Sequence, residues 1–225
     1  MSLRNNQIAI VHGTASPLNE LSDIIFRNHA DYAIRHGYML QEFRLNPNEG
    51  QLWTLYQMFA NNTGIRRAFW IDSEAVFTNL EFLLTEHLPI GKIVMACDIF
   101  GPSADCLWLE NCPEVVRLLW AASRVETWIF EGHHPGTIPC REQMALRYLS
   151  LHPPYQELFT YVEQRVMKSY LLNECYSDDR PKDDFGQWQA GDFILHLGGL
   201  IPALKVSTLE SILNPSSKTP SPSSY

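Results

Sequence analysis

Residues 68 to 77 read AFWIDSEAVF. Four apolar residues, Ala68 to Ile71, run directly into Asp72, Ser73 and Glu74, and the chain then turns apolar again. A continuous apolar run of this length marks a strand buried on both faces. In open α/β sheets, ligands bind beyond the carboxyl ends of the strands, and Asp72 is the first residue past such an end. Extended backbone projects Asp72 and Glu74 to the same side. Two carboxylates so placed form a hard, oxygen-rich site for Mn²⁺ or Mg²⁺. On spacing alone, a solvated turn or an acid capping a following helix also accounts for the pair.

The surroundings of this stretch alternate strand and helix. Ile8 to Val11 is a short β-type run ending in a loop sequence, His12-Gly13-Thr14. Leu18 to His36 carries a helical pattern with Gly37 as its C′ residue. Tyr38 to Leu45 reads as a strand, and Leu52, Trp53, Tyr56, Phe59 and Ala60 line one face of an amphipathic helix. Ile93 to Cys97 is a second buried strand, ending at Asp98. Pro113 opens a helix at a tolerated first-turn position. Glu142 to Leu149 and Tyr155 to Tyr170 are expected to be helices. Phe193 to Leu197 is expected to be a last strand, ending in Gly198-Gly199. This order implies an α/β sandwich with a mainly parallel central sheet.

Composition limits the function classes. The chain has 225 residues, is 45% hydrophobic and 19% charged, and carries a net charge of −8. That balance supports one domain with a real core, placed at residues 1 to 213. The charge disfavours a general nucleic-acid surface. The stretch from Asn214 to Tyr225, NPSSKTPSPSSY, reads as a flexible tail or linker. Five cysteines, with no CxxC pair, argue against a disulfide framework or zinc ribbon and fit a reducing compartment. With neither a signal-type N-terminus nor an apolar run of about 18 residues, a soluble cytoplasmic protein is expected. P-loop, dinucleotide-fingerprint, nucleophile-elbow and zincin motifs do not occur.

Other residues could join the acids. His196, in GDFILHLGG, ends a strand, and Gly198 and Gly199 after it allow close backbone approach to a ligand. Alone, it reads better as a core histidine bonded to a carbonyl. His133-His134 is a weaker option, in a Gly/Pro loop. Glu142 and Gln143, in CREQMALRYL, face a cleft or favour a helix N-terminus. Trp188, in a polar stretch, is the aromatic expected to line a ligand cleft, with Asp192 nearby. The run SDDRPKDD is a solvated loop or a lid.

Several segments together resemble one family. WIDSEAVFTN is similar to the W-L-D-S-D-A-L-F motif of glycosyltransferase family 34, the α-galactosyl, α-xylosyl and α-mannosyl transferases. NHADYAIRHGYML resembles its Y-A-x-x-H-G-Y segment, and CREQMAL its D/E-Q-x-A-L helix start. EQRVMKSY resembles its P-Q-R-x-x-N-S-Y segment, and GDFILHLGG its G-D-F-V-x-H-F-A-G ending. The five segments keep the family's order and cover most of residues 7 to 200.

The resemblance implies a GT-A fold, a nucleotide-sugar donor (a UDP-sugar, or GDP-mannose), a glycan or glycoconjugate acceptor, and Mn²⁺-dependent, retaining transfer. It implies that Asp72, Glu74 and His196 hold the metal and that Glu142 and Gln143 lie near the reacting sugar. Front-face attack with Gln143 near the anomeric carbon, and double displacement with Glu142 as nucleophile, both remain open. Donor contacts are expected from His12, Gly13, Thr14, Ser73, Asp98, Ser103, Asp105, Gly198 and Gly199. The chain departs from the family at Glu74, where Asp is usual, and at Ser103-Ala104-Asp105, where N-A-G is common. The lysine after H-F-x-G is missing, and Lys205 lies further along. Glu74 and the missing lysine keep one alternative, a catalytically silent sugar-nucleotide or carbohydrate-binding module; a metal-dependent phosphohydrolase using Asp72, Glu74 and His196 is another.

Overall fold

A computed structural model of the chain describes residues 3–14, 19–44, 50–98, 101–124, 141–171, 186–198, 200 and 202–213. Its strands divide the core by simple alternation, because successive side chains of a strand face opposite sides of the sheet. In β1 (Ile8–Thr14), Ala9 and Val11 join one apolar layer and Ile8 and Ile10 the other. In β3 (Arg67–Ile71), Ala68 and Trp70 face the first layer, and Phe69 and Ile71 the second. The same division runs through β5 (Ile93–Asp98) and β6 (Gly101–Glu110). Strands buried on both faces are thus the reason for the unbroken apolar runs.

Six strands form the central sheet in the order β2-β1-β3-β6-β5-β7, with β2 at Met39–Arg44 and β7 at Phe159–Glu163. The β1–β2, β1–β3 and β5–β7 pairs are parallel, and β6 runs against β3 and β5. The sheet is therefore mainly parallel, as expected. The first layer is closed by α2 (Gly50–Asn61), α4 (Pro113–Ala122) and α5 (Arg141–Ser150). The second is closed by α1 (Glu20–His36) and by a three-stranded sheet, β4-β9-β8. These strands are Ala75–Phe77, Ile194–His196 and Ser169–Tyr170. A short α3 (Leu84–His87) and a terminal α7 (Pro202–Leu213) complete the elements, with α6 (Gln164–Met167) between β7 and β8.

Helix α1 is bounded as its residues require. The Asn19 side chain accepts the Ser22 N–H at 3.0 Å while the Ser22 hydroxyl accepts the Asn19 N–H at 2.7 Å, a reciprocal cap. At the other end Gly37 adopts φ 66°, a left-handed turn that glycine alone takes cheaply.

Two expectations change, and one strand was not expected. Tyr155 to Tyr170 is not one helix: a 3₁₀ turn at Gln156–Leu158 leads into β7, then α6 and β8. Phe159, Tyr161 and Val162 suit a strand, and pairing with β5 decides the outcome. His12-Gly13-Thr14 is not a loop; β1 continues through it, paired with Glu42, Phe43 and Arg44. Strand β6, which opens on Gly-Pro-Ser, has no counterpart among the strands expected from the sequence. The tail from residue 214, the EGHHPG loop and the SDDRPKDD run lie outside the described residues.

Candidate metal and donor site

The carboxyl ends of the parallel strands gather the acids. Asp72 follows β3 directly, and its N–H donates to the Asp105 carbonyl on β6 at 2.9 Å. Antiparallel register pairs Ile71 with Cys106, so Asp105 lands beside Asp72. From the smaller sheet His196, at the end of β9, closes a triangle. Asp72, Asp105 and His196 each offer a ligand atom within 4.8 Å of the others.

His196 Nε2 is buried and has no hydrogen-bond partner among the described residues. It lies 3.6 Å from Asp72 Oδ1 and 3.7 Å from Asp105 Oδ2, too far for a hydrogen bond to either. The Gly198 N–H donates to His196 Nδ1 at 3.0 Å and fixes the ring. A side chain at Gly198 would place its Cβ 2.4 Å from the imidazole. Two carboxylates and an imidazole are a donor set suited to a hard or borderline divalent ion. With Nδ1 accepting from Gly198, the neutral ring carries its proton on Nε2, so the three residues fit an ion once that proton shifts to Nδ1 and the Gly198 contact opens.

A lysine shares this cluster. Lys168, just after α6, places its ammonium 2.6 Å from Asp105 Oδ2 and 3.2 Å from Asp98 Oδ2, and donates to the Ser103 hydroxyl at 3.0 Å. Burial lowers the Lys168 pKa on its own, but Asp105 and Asp98 outweigh it and hold it above the ordinary value. Burial raises Asp105, yet His196, Lys168 and Ser103 prevail and keep that carboxyl below its usual range. His196 is likewise pushed down by burial and carried above its ordinary value by Asp72 and Asp105. Arg147 stands 3.9 Å from Asp98 and donates to the Pro102 carbonyl at 2.7 Å.

Glu74 lies apart from the triangle. The chain turns rather than staying extended after β3: Asp72 Oδ1 accepts the Glu74 N–H at 2.7 Å. The Glu74 carboxylate is instead ion-paired with Lys205, a nearly buried residue on α7. Ser73 sits partly exposed in the same turn.

Glu142 and Gln143 hold backbone. Glu142 Oε1 accepts the Leu52 N–H at 2.5 Å, so this acid of α5 caps the N-terminus of α2 from outside. Gly50 permits it: its φ is +64°, and a Cβ there would stand 2.6 Å from the carboxylate. Glu142→Ala is expected to cost about 1–2 kcal/mol of stability by chemical denaturation, since an N-terminal donor loses its partner. Gln143 Oε1 accepts the Ala104 N–H at 3.2 Å, which leaves its NH₂ group as the end able to donate.

The remaining expected contacts fall into two groups. Asp98 and Ser103 join the cluster through Lys168, and Thr14 ends β1 with its hydroxyl buried and unbonded among the described residues. His12 points into the core instead, its Nδ1 2.9 Å from His29 Nδ1. Gly13 answers to packing: a Cβ would meet Trp70 at 2.2 Å. Trp188 donates its indole N–H to Thr78 at 3.0 Å and packs on α1, α7 and the smaller sheet rather than standing free in a cleft. Asp192 binds Arg165 at 2.6 Å, the Ser169 hydroxyl at 2.8 Å and the Gln189 N–H at 2.8 Å. It is a knot tying α6 and β8 to the chain before β9. Gly199 lies outside the described residues. Asp105 as part of the triangle and Lys168 at all were missed. The one signal for Lys168 was its departure from the N of P-Q-R-x-x-N-S-Y.

The chain matches no protein-family model and no curated protein. Among solved structures, it resembles a glycosyltransferase involved in glycosylation of the major capsid of PBCV-1. The two share 11% identity and a TM-score of 0.70, over 90% of this chain and 98% of that one. It also resembles the galactosyltransferase LgtC, solved with donor and acceptor sugar analogs (11% identity, TM-score 0.53, 94% and 97% covered). A third is the apo form of the glycosyltransferase GlyE of Streptococcus pneumoniae TIGR4 (14% identity, TM-score 0.54), of which the chain spans 60% while 91% of its own length is covered. Family 34 in particular finds no match. At these identities the likeness is one of architecture: the chain has the GT-A type fold of these glycosyltransferases.

Proposed function

We propose that this chain is a metal-dependent retaining glycosyltransferase that moves a sugar from a nucleotide-sugar donor, a UDP-sugar in the first instance, to a glycan or glycoconjugate acceptor. The observation that carries the reading is the Asp72–Asp105–His196 triangle, with its orphaned imidazole nitrogen, at the carboxyl edge of a GT-A type sheet. In such sheets that edge is where ligands bind. Asp72, Asp105 and His196 would hold Mn²⁺ or Mg²⁺. When bound, the ion supplies positive charge against the diphosphate as it leaves.

The chain's own residues supply orientation. The turn from Asp72 to Glu74 and the Asp72–Asp105 backbone bond hold two carboxylates in one register. Gln143, fixed by the Ala104 N–H, presents an amide donor near this edge. The commitment of Glu142 to the α2 N-terminus supports front-face substitution over a covalent route through Glu142. In that reaction the sugar–phosphate bond breaks as the acceptor oxygen bonds to the anomeric carbon on the same face. The acceptor's proton passes to the leaving phosphate. Glu142→Gln keeps an acceptor for Leu52, so transfer is expected within severalfold of the parent; a nucleophile would lose it outright.

The deciding experiment incubates the protein with a panel of UDP- and GDP-sugars, with and without Mn²⁺, and follows nucleotide release and product anomericity. Ion-dependent release with one donor and a retained product supports the reading. Binding without turnover supports the silent module, and release of phosphate from simple esters supports the phosphohydrolase.

A further inference from the structure

Lys168 is 15% exposed, and its ammonium has three N–H donors. Three oxygens meet them: Asp105 Oδ2 at 2.6 Å, Ser103 Oγ at 3.0 Å and Asp98 Oδ2 at 3.2 Å. No donor is left over for a ligand phosphate, so Lys168 acts as a fixed internal cation rather than a phosphate clamp. Ser103 is 1% exposed and itself donates to Asp105 Oδ2 at 3.0 Å, which locks the group further.

The position matters because Asp105 is also a corner of the metal triangle. A divalent ion entering there meets a unit positive charge already bonded to one of its carboxylates. Like charges a few ångströms apart in a part-buried site repel strongly. The triangle also offers three protein donors where Mg²⁺ demands six, and such ions draw the rest from water and substrate phosphates.

We propose that Lys168 is a positioning residue that keeps the Asp72–Asp105–His196 cluster a weak site for a free divalent ion. The ion is then held firmly only together with the diphosphate of the donor, whose oxygens supply both the missing ligands and the missing negative charge. This rests on reading the cluster as a donor site. Lys168 holds Asp98 and Asp105 in place while no ion is bound, and it ties ion binding to donor binding.

The test uses the whole purified chain and Mn²⁺ alone as probe, read by the loss of the free-ion paramagnetic resonance signal, then Mn²⁺ with UDP. The parent is expected to bind Mn²⁺ weakly and to gain about tenfold or more with UDP. Lys168→Met removes the charge at similar length and is expected to bind Mn²⁺ alone about tenfold or more tightly than the parent, with a smaller gain from UDP. Lys168→Arg keeps the charge and is expected to stay weak. If Lys168→Met does not fold, the Asp98→Asn/Lys168→Met pair removes an acid with the base and carries the same expectation. Equal or weaker Mn²⁺ binding by the uncharged variants overturns the proposal and leaves the glycosyltransferase reading standing, since the parent still takes Mn²⁺ with UDP. Absence of Mn²⁺ binding in every protein, with and without UDP, overturns both this role and the metal site itself.

Discussion

Asp72→Asn abolishes sugar transfer, by about a thousandfold or more, while leaving the fold almost untouched. Both halves of this expectation come from the same side chain. The carboxylate is half of the acid pair facing His196 Nε2, and an amide supplies no charge for an ion. Yet the amide oxygen of asparagine can still accept the Glu74 N–H that now bonds Asp72 Oδ1, so the turn after β3 persists. Stability is expected to stay within about 1 kcal/mol of the parent, because the change also relieves repulsion from Asp105. Donor turnover with Mn²⁺ and urea denaturation, run on one preparation, check the two together. Full turnover in the variant sinks the assignment of Asp72.

Acid weakens the fold through His29. This residue of α1 is fully buried, and its Nε2–H donates to the Ala75 carbonyl at 2.8 Å. Its Nδ1 must then accept from His12, 2.9 Å away. A further proton on His29 would face the His12 N–H at that distance. Burial, with His12 beside it, pulls the His29 pKa from 6.5 down to about 3. The unfolded chain takes up a proton below pH 6.5 that the folded chain refuses, so stability falls with pH through that range and stops falling near pH 3. Between pH 7 and pH 5 the loss from His29 is about 2 kcal/mol. Burial shifts His12 downward too, adding in the same direction. His196 acts oppositely: its raised pKa gives a stabilisation present at low pH and lost as pH rises through the folded value. Comparison with His29→Gln isolates the effect: its stability should drop by about 2 kcal/mol less than the parent's over the same interval. Equal drops in the two proteins would remove His29 as the cause.

The sheet's frame was legible in the sequence because buried strands leave unbroken apolar runs, and Asp72 was legible because it ends one. His196 was legible for the same reason, at the close of FILHL. Asp105 was not. Only the antiparallel return of β6 sets it beside Asp72. That register is a tertiary fact with no local spacing to announce it. Lys168 was hidden by a misreading of Tyr155 to Tyr170: with that segment taken as a helix, a lysine near its end reads as solvated. Glu142 was recognised as a polar helix-start residue, but the helix it caps is α2, ninety residues earlier. The Asp72–Glu74 spacing suggested a pair on one side, and a two-residue turn separated them.

The two sheets divide the site between them. The acids stand on the larger one, where Asp72 follows β3, Asp98 ends β5 and Asp105 lies on β6. Lys168 and His196 border strands of the smaller one, whose register sets Tyr170 beside His196. The cleft is therefore a seam, and whatever bridges it is a fastener. β8 and β9 pair with one another and not with the larger sheet, so both partners of the acids ride on one unit. The Asp192 knot, which binds Arg165 and Ser169, holds that smaller unit together from a distance, without belonging to the cluster itself.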